Sequence, residues 1–163
     1  MDNEQPRILF VTPIPTHPAI TGSRMRVFKL IETVDSWGWE FRIIYVGWNI
    51  DCEPMKKRWG EDRFRVFTHP RPQGVFGFFR RLFGFLARKI RKKGRSTELF
   101  RSKELKEFLL QQGREFVPTA VVVEYAYISW ILDLFPSAVQ KLIDTHDVLG
   151  GRRDLLLRAG LRP

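Results

Sequence analysis

Apolar positions along this chain follow two spacings. Short continuous runs indicate buried strands, and recurrences every three or four residues indicate amphipathic helices. The runs predict five strands: Arg7–Thr12, Glu40–Val46, Arg63–Phe67, Thr119–Val123 and Val139–Asp144. The first strand is apolar on both faces, as strands of parallel sheets are. The third alternates charged and apolar residues, which is typical of an edge strand.

Helical spacing occurs between and after these strands. The first helix is expected to be capped by Ser23 and ended by Gly38. Its inward residues recur at helical spacing, namely Val27, Leu30, Ile31 and Val34. A further helix is predicted from Ser102 to about Gln112, with Gly113 as its stop. Its inward residues are Leu105, Phe108 and Leu109.

Two more helices complete the pattern, a short one over Tyr127–Leu134 and a last one that begins near Asp147. Strands that alternate with helices imply right-handed crossovers and a parallel sheet covered on both faces. We therefore expect the α/β class, a Rossmann-like, doubly wound parallel sheet. A length of 163 residues suits a single domain. Ligands of such sheets bind beyond the carboxyl ends of the strands.

Cysteine content and the first residues limit where the protein works. Cys52 is the sole cysteine, so an internally disulfide-stapled secreted module is excluded and a reducing compartment is favoured. The start, Met1-Asp2-Asn3-Glu4, is acidic where a secretory signal is basic. Cys52 is also expected to lie far from the strand ends, and no Ser/His/Asp or Cys/His nucleophile set is recognisable. A cytoplasmic location follows.

The net charge of +10 is concentrated in one stretch. Between Arg63 and Thr97 there are eleven basic residues and no acidic ones, which leaves 17 basic and 18 acidic residues elsewhere. Within this stretch, residues 75–95 form a basic helical pattern with a continuous apolar stripe. The stripe comprises Phe76, Phe79, Phe83, Leu86 and Ile90. A cationic flank beside such a stripe is what an interfacial membrane helix needs.

Three uses of this basic segment remain open. An anionic membrane surface would be contacted by Phe79, Arg80, Phe83, Arg91, Lys92 and Lys93. The eight charges between Arg80 and Arg95 would add several kcal/mol, at about 1 kcal/mol each. Alternatively, the segment is a crossover helix with a solvated basic face. Nucleic acid is the less favoured partner, because the aromatic residues form an apolar face and are not spaced for base stacking.

Three loops at predicted strand ends carry candidate chemistry. The first holds Thr21-Gly22-Ser23-Arg24 and opens into a helix, whose unpaired N–H groups suit a phosphate or diphosphate. Gly22 permits close approach of a ligand, and Arg24 supplies a guanidinium. The sequence is neither a dinucleotide fingerprint nor a P-loop. On local spacing alone, a plain turn with a serine cap is favoured.

The other two loops offer carboxylates, a histidine and tyrosines. Glu124 and Tyr127 flank a turn in which a carboxylate and aromatic rings could hold a sugar, or simply form a helix start with buried rings. His146 lies between Asp144 and Asp147, which could fix its tautomer for hydrogen bonding to a ligand. The alternatives are a helix cap at Asp147 with a packed histidine and, least favoured, a metal site. His17 and His69 stand beside prolines and are interpreted as incidental.

Three stretches together resemble a known family. RILFVTPIPTHPAITGSRMRVFKLIETV (7–34), VVVEYAYISWILDLFP (121–136) and KLIDTHDVLGGRRD (141–154) resemble the amino-terminal domain of GT-B-fold glycosyltransferases. The likeness is greatest to the large retaining group that builds bacterial polysaccharides and glycolipids from nucleotide-sugar donors. It covers nearly the whole chain.

The resemblance implies a function and residue roles. Residues 1–163 would be the acceptor-binding domain of a hexosyltransferase-like enzyme that transfers a sugar from a nucleotide-sugar to a polysaccharide or lipid-linked acceptor. Gly22, Ser23 and Arg24 would take the donor diphosphate, and His146 the sugar or reacting centre. Glu124, Tyr125 and Tyr127 would face the acceptor. No cofactor or metal is expected, with the nucleotide-sugar as co-substrate.

One departure from the family matters for activity. The family's second, donor-binding domain and its paired glutamates have no counterpart in the 163 residues, so we expect little activity from this chain alone. It would work with that domain in cis or in trans, at the inner face of the plasma membrane. The alternative class is a non-enzymatic α/β module that attaches to anionic membrane or nucleic acid through residues 75–95.

Overall fold

The fold is built on a parallel sheet whose strands alternate with helices along the chain. A computed structural model describes residues 5–48, 50–69 and 101–145. Five strands form one all-parallel sheet in the order β3-β2-β1-β4-β5. The strands are β1 (Arg7–Thr12), β2 (Glu40–Gly47), β3 (Phe64–Thr68), β4 (Ala120–Glu124) and β5 (Gln140–Asp144). The expected Rossmann-like α/β class is confirmed.

Helices cover both faces of this sheet. They are α1 (Gly22–Ser36), α2 (Glu53–Trp59), α3 (Lys103–Phe116) and a 3₁₀ helix (Ala126–Leu134). One core cluster joins α1 and α2 to residues such as Phe10 and Ile43. The other joins α3 and the 3₁₀ helix to residues such as Leu9 and Val123 on the opposite face. Alternate residues of each buried strand therefore serve different cores.

The start of α1 differs from the sequence prediction. Ser23 was expected to cap the helix, but it is the second helical residue. The cap is Thr21, whose extended backbone lets its hydroxyl accept the Arg24 N–H at 3.4 Å. Gly38 does end the segment, in a left-handed conformation (φ 73°) that favours glycine.

The end of α3 also differs. Gly113 was predicted to stop this helix, yet the helix continues to Phe116 and is followed by Val117 in a left-handed conformation (φ 48°). Gly113 is required inside the helix because a Cβ there would lie 2.8 Å from the ring of Phe135. The glycine thus serves the packing of α3 against the segment after the 3₁₀ helix.

Most of the remaining predicted elements are present, one helix was not predicted, and two predicted helices fall outside the described residues. All five strands occur within one or two residues of the predicted bounds, and β3 lies at an edge. Helix α2 was not predicted. The basic segment 75–95 and the helix expected near Asp147 lie outside the described residues. Among the described helices, none has the length and apolar character needed to cross a membrane.

Candidate functional site

The strand order places a crevice at the carboxyl ends of β1 and β4. The connection that leaves β1 leads to β2 on one side, and the connection that leaves β4 leads to β5 on the other side. The connections from these two neighbouring strands therefore diverge. This is the topological switch point, where open α/β sheets bind ligands. Residues 13–21 follow β1 and lead into α1, while Tyr125 follows β4. The residues predicted from the sequence for diphosphate and acceptor binding lie on these two connections.

The amino end of α1 offers hydrogen-bond donors at the end of the loop that leaves β1. Gly22 and Ser23 are the first two helical residues, so their N–H groups have no acceptor within the helix. Both residues are exposed, and a Cβ at Gly22 would meet open space. Arg24 follows one residue later and is half-buried. These three positions can therefore surround an anion with two amides and a guanidinium.

A tyrosine from β2 lies near Arg24. Tyr45 is 3% exposed, and its ring covers Gly47, where any Cβ would overlap the hydroxyl and ring atoms. Burial raises the pKa of Tyr45, the nearby Cys52 raises it further, and the positive charge of Arg24 opposes both. Cys52 itself was expected to lie far from the strand ends. That expectation is wrong, because Cys52 packs against the core cluster that contains Tyr45 and lies on the connection that leaves the carboxyl end of β2. Burial raises the pKa of the thiol as well.

A buried carboxyl group ends β4. Glu124 is 0% exposed and pairs in register with Asp144, the last residue of β5. Arg26 of α1 binds both oxygens of Asp144, with Nε at 3.0 Å from Oδ2 and a second contact from Nη2 to Oδ1. Burial, reinforced by the charge of Asp144, raises the pKa of Glu124 to about 8, although Arg26 opposes the shift. Glu124 thus favours its protonated form at neutral pH.

Arg26 is the site residue that the sequence reasoning missed. Its ion pair with Asp144 joins residues that are 118 positions apart, and the hydrogen bond to Asp144 raises the pKa of Arg26. Arg26 stands two residues after Arg24, on the part of α1 that faces the carboxyl ends of β4 and β5. Arg24 instead acts on Tyr45 of β2. The first turns of α1 therefore carry two arginines, of which Arg26 pairs with Asp144 at the end of β5.

The tyrosines after β4 stack on one another. Tyr125 adopts a left-handed backbone conformation (φ 78°), and its N–H donates to the Asp144 carbonyl oxygen at 2.9 Å. The rings of Tyr125 and Tyr127 lie 5.3 Å apart with 22° between their planes. Burial and the proximity of Tyr125 raise the pKa of Tyr127 to about 12. The two tyrosines after Glu124 therefore form a stacked pair, and their role as a wall against the acceptor stays a prediction.

The loop before α1 is anchored to α2. Trp59 Nε1 donates to Thr16 Oγ1 at 2.8 Å in a buried hydrogen bond. The ring of His17 lies 5.9 Å from that of Phe28 on α1. His69, at the end of β3, is 6% exposed, and burial lowers its pKa. Both histidines, interpreted as incidental from the sequence, thus pack against aromatic rings at the carboxyl edge of the sheet.

Five sequence-predicted site residues flank the switch point and one lies nearby. Gly22, Ser23 and Arg24 lie on the β1 side and Glu124 and Tyr125 on the β4 side, with Tyr127 stacked on Tyr125. His146 lies outside the described residues, and so do all six predicted membrane-contact residues: Phe79, Arg80, Phe83, Arg91, Lys92 and Lys93. Within residues 5–48, 50–69 and 101–145, no group of three or more His, Cys, Asp or Glu side chains is arranged to hold a metal ion.

A cavity of about 750 Å³ runs along the sheet beside α1. Arg26 and Asp144 line its end at the carboxyl edge, and Trp37 and Trp39 lie toward the other end. Most of its lining is apolar, and Leu142 of β5 is 48% exposed there.

Comparisons with known proteins leave the family open. The sequence matches no protein-family model and no curated protein. Two solved chains match, and one belongs to the crystal structure of an intact type IV self-sufficient cytochrome P450 monooxygenase. The match covers 90% of this chain but 15% of that chain, at 13% identity and a TM-score of 0.42. A likeness of this degree carries no argument about function.

Proposed function

We propose that this chain is the amino-terminal, acceptor-binding part of a glycosyltransferase. It would help transfer a sugar from a nucleotide-sugar donor to a polysaccharide or lipid-linked acceptor. One observation carries the proposal: the exposed amino end of α1 and the buried carboxyl of Glu124 flank the same switch-point crevice. The first two of the three sequence stretches that resemble GT-B-fold enzymes, residues 7–34 and 121–136, contain these features.

Residue roles in the proposal follow from charge and exposure. The amides of Gly22 and Ser23 and the guanidinium of Arg24 would stabilise the negative charge that develops on a leaving nucleoside diphosphate. Tyr125 and Tyr127 would form the apolar wall against the acceptor. Glu124 would bound the crevice as a neutral, protonated group that does not repel the donor phosphates. His146 would contact the transferred sugar.

The proposal is tested by titrating the purified chain with UDP-glucose, ADP-glucose and inorganic pyrophosphate in a calorimeter. We expect at least one of these to bind, and Arg24→Ala to weaken that binding about tenfold, as loss of a charge-assisted hydrogen bond does. Arg114→Ala, an exposed arginine on the last turn of α3, is the matched control and should leave binding unchanged. Absence of binding by all three compounds, or equal losses in the two variants, would contradict the proposal.

A second candidate function rests on the charge distribution. Eleven of the 28 basic residues fall between Arg63 and Thr97, where acidic residues are absent. A non-enzymatic module that binds anionic lipid or nucleic acid would need such a segment. The same segment would place the proposed enzyme peripherally on the inner face of the plasma membrane.

Liposome flotation and nucleic-acid gel shift separate these possibilities. At low salt we expect the chain to float with anionic vesicles, and Arg91→Glu, Lys92→Glu and Lys93→Glu together to abolish flotation. Substituting Lys103, Lys106 and Arg114 of α3 by glutamate changes the net charge equally and should not. Flotation that is absent, or lost equally in both triple variants, would reject membrane attachment through residues 75–95. A gel shift without flotation would favour nucleic acid.

A further inference from the structure

A second cavity opens beside the loop that precedes α1. Its volume is about 620 Å³, within the range of about 300–1,000 Å³ that small-molecule sites occupy. The lining residues come from that loop and from the start and outer face of α2: His17, Asp51, Glu53, Pro54, Lys57 and Arg58. The cavity therefore lies at the carboxyl edge of the sheet, and it shares a loop with the proposed diphosphate site.

The aromatic contacts behind this cavity hold its wall in place. The Arg58 guanidinium lies 4.5 Å from the centroid of the Trp59 ring and 5.3 Å from that of Phe28. Arg58 also forms an ion pair with Glu32 at 3.4 Å. Because the Thr16 hydroxyl accepts the Trp59 indole N–H, the loop and α2 are joined next to two lining residues, His17 and Arg58. A donor fixed in this way loses little side-chain entropy when a ligand binds.

Other polar groups on the lining have hydrogen-bonding capacity to spare. Asp51 Oδ1 accepts the Glu53 N–H at 3.0 Å, which uses one of about four acceptor positions on a carboxylate. Within the described parts of the chain, Lys57 forms no ion pair and His17 Nδ1 is buried without a hydrogen-bond partner. The lining of this cavity thus carries both hydrogen-bond acceptors and hydrogen-bond donors.

The charges on the lining balance, and this decides between classes of ligand. The lining has two carboxylates, Asp51 and Glu53, and two cations, Lys57 and Arg58. Lys56 pairs with Glu53 at 3.1 Å and Glu32 with Arg58 at 3.4 Å, so among the described residues one carboxylate and one cation of the lining have no ion pair. An anion such as phosphate would be repelled by the carboxylates, and a cation by the lysine and arginine. A neutral ligand with many hydroxyl groups can accept from the cations and donate to the carboxylates at once. We propose that this cavity is a binding subsite for a neutral saccharide.

This inference rests on the proposed function in one respect, since it identifies the saccharide as part of the acceptor. Saccharide binding does not depend on the proposed diphosphate site, because Lys57 lies on α2 whereas the residues proposed to bind the diphosphate lie on α1. The two proposals can therefore fail separately. Loss of diphosphate binding with intact saccharide binding would reject the transferase role, and the reverse would reject the subsite.

The experiment is ligand-observed saturation-transfer NMR on the purified chain. The probes are maltose, cellobiose, lactose and N,N′-diacetylchitobiose, with glucose 1-phosphate and glucosamine as charged comparisons. We expect at least one neutral disaccharide to bind, in preference to the charged sugars. Lys57→Met and Asp51→Asn should each weaken its binding about tenfold, the cost of losing one hydrogen bond to a charged group. Asparagine retains the oxygen that accepts the Glu53 N–H, so the start of α2 is kept.

Matched controls exist on other parts of the chain. Lys106→Met on α3 and Asp133→Asn on the 3₁₀ helix remove the same charges from exposed positions and should leave saccharide binding unchanged. Thermal unfolding of all four variants establishes that they are folded. Absence of signal from every neutral disaccharide, binding that Lys57→Met and Asp51→Asn leave intact, or preference for glucose 1-phosphate would each overturn the proposal.

Discussion

A carboxyl group with no solvent exposure is costly to ionise, and Glu124 is such a group at the end of β4. Asp144 beside it forms an ion pair with Arg26. Nearby negative charge and burial both favour the protonated form of Glu124, which raises its pKa to about 8. Two carboxyl groups at neighbouring positions of adjacent strands therefore have different surroundings: Glu124 is buried, and Asp144 is paired with Arg26.

The raised pKa of Glu124 predicts how the free energy of unfolding depends on pH. The folded protein holds the Glu124 proton up to about pH 8, whereas the unfolded chain releases it near 4.5. The contribution of this proton to folding is complete below pH 4.5 and is lost as the pH rises to about 8. Its slope is at most about 1.4 kcal/mol per pH unit. Glu124→Gln should flatten this dependence and raise the free energy of unfolding on the order of 2 kcal/mol at pH 8.

Urea unfolding at a series of pH values measures this effect. Asp133→Asn removes an exposed carboxyl group and serves as the control, with the pH dependence expected to match that of the wild type. If Glu124→Gln lost stability at pH 8 instead, the carboxyl group would be ionised in the folded protein.

For single residues, the sequence predicted where a residue lies along a strand better than which side chain it contacts. Glu124 was placed at the carboxyl end of a strand from the apolar run before it, and that position is confirmed. Its complete burial was not predicted, because burial depends on α1 packing over a strand almost 100 residues later. The partnership of Arg26 with Asp144 depends on the same long-range packing, and no local spacing indicates it.

Among the elements, α1 is the one whose first turn the proposed chemistry needs. Its cap decides which N–H groups are left for a ligand. Thr21 accepts the Arg24 N–H, while Gly22 and Ser23 keep theirs free of intrahelical acceptors.

Two alanine substitutions separate the observed cap from the one expected from the sequence. Thr21→Ala should lower the free energy of unfolding by about 1 kcal/mol, because it removes the oxygen that satisfies an N–H group of the first turn. Ser23→Ala should change it by less than about 0.5 kcal/mol, since Ser23 is an exposed helical residue. Denaturant unfolding compares them directly, and the opposite ranking would restore Ser23 as the cap.

Helix α3 offers a test of the packing that overrides helix propensity. Alanine normally stabilises a helix interior by about 1 kcal/mol over glycine. At Gly113 we expect the reverse, a loss of about 1 kcal/mol, because the new Cβ would lie 2.8 Å from the buried Phe135 ring. In a Phe135→Leu background the same substitution should become neutral or stabilising. Equal effects in both backgrounds would remove Phe135 as the cause.

The elements show where sequence patterns suffice and where they do not. The strands were predicted because runs such as Val121–Val123 are apolar on both faces. Helix α2 was missed because its seven residues are too few to display a helical period, and its buried Met55 and Trp59 stand among charged neighbours. The predicted end of α3 is wrong because a glycine can either end a helix or allow close packing within it, and the sequence does not distinguish the two.

For the whole molecule, the order of strands matters more than any single residue. The order β3-β2-β1-β4-β5 places the loop after β1 and the end of β4 at the same switch point of the sheet, with the 620 Å³ cavity on the β2 side. The sequence predicted the doubly wound class and therefore the edge of the sheet at which ligands bind. The position of the second cavity could not be predicted, because it depends on how α2 packs against the loop before α1.

The central claim is that the crevice at the carboxyl edge of the sheet binds a nucleotide-sugar through its diphosphate. The most direct measurement is a ¹⁵N NMR titration of the chain with UDP-glucose, ADP-glucose and pyrophosphate. The account predicts that the largest amide shifts belong to Gly22, Ser23 and Arg24, with smaller ones at Tyr125. Shifts concentrated at the opposite, amino edge of the sheet, around Val117 and Thr119, or no shifts with any of the three compounds, would contradict it.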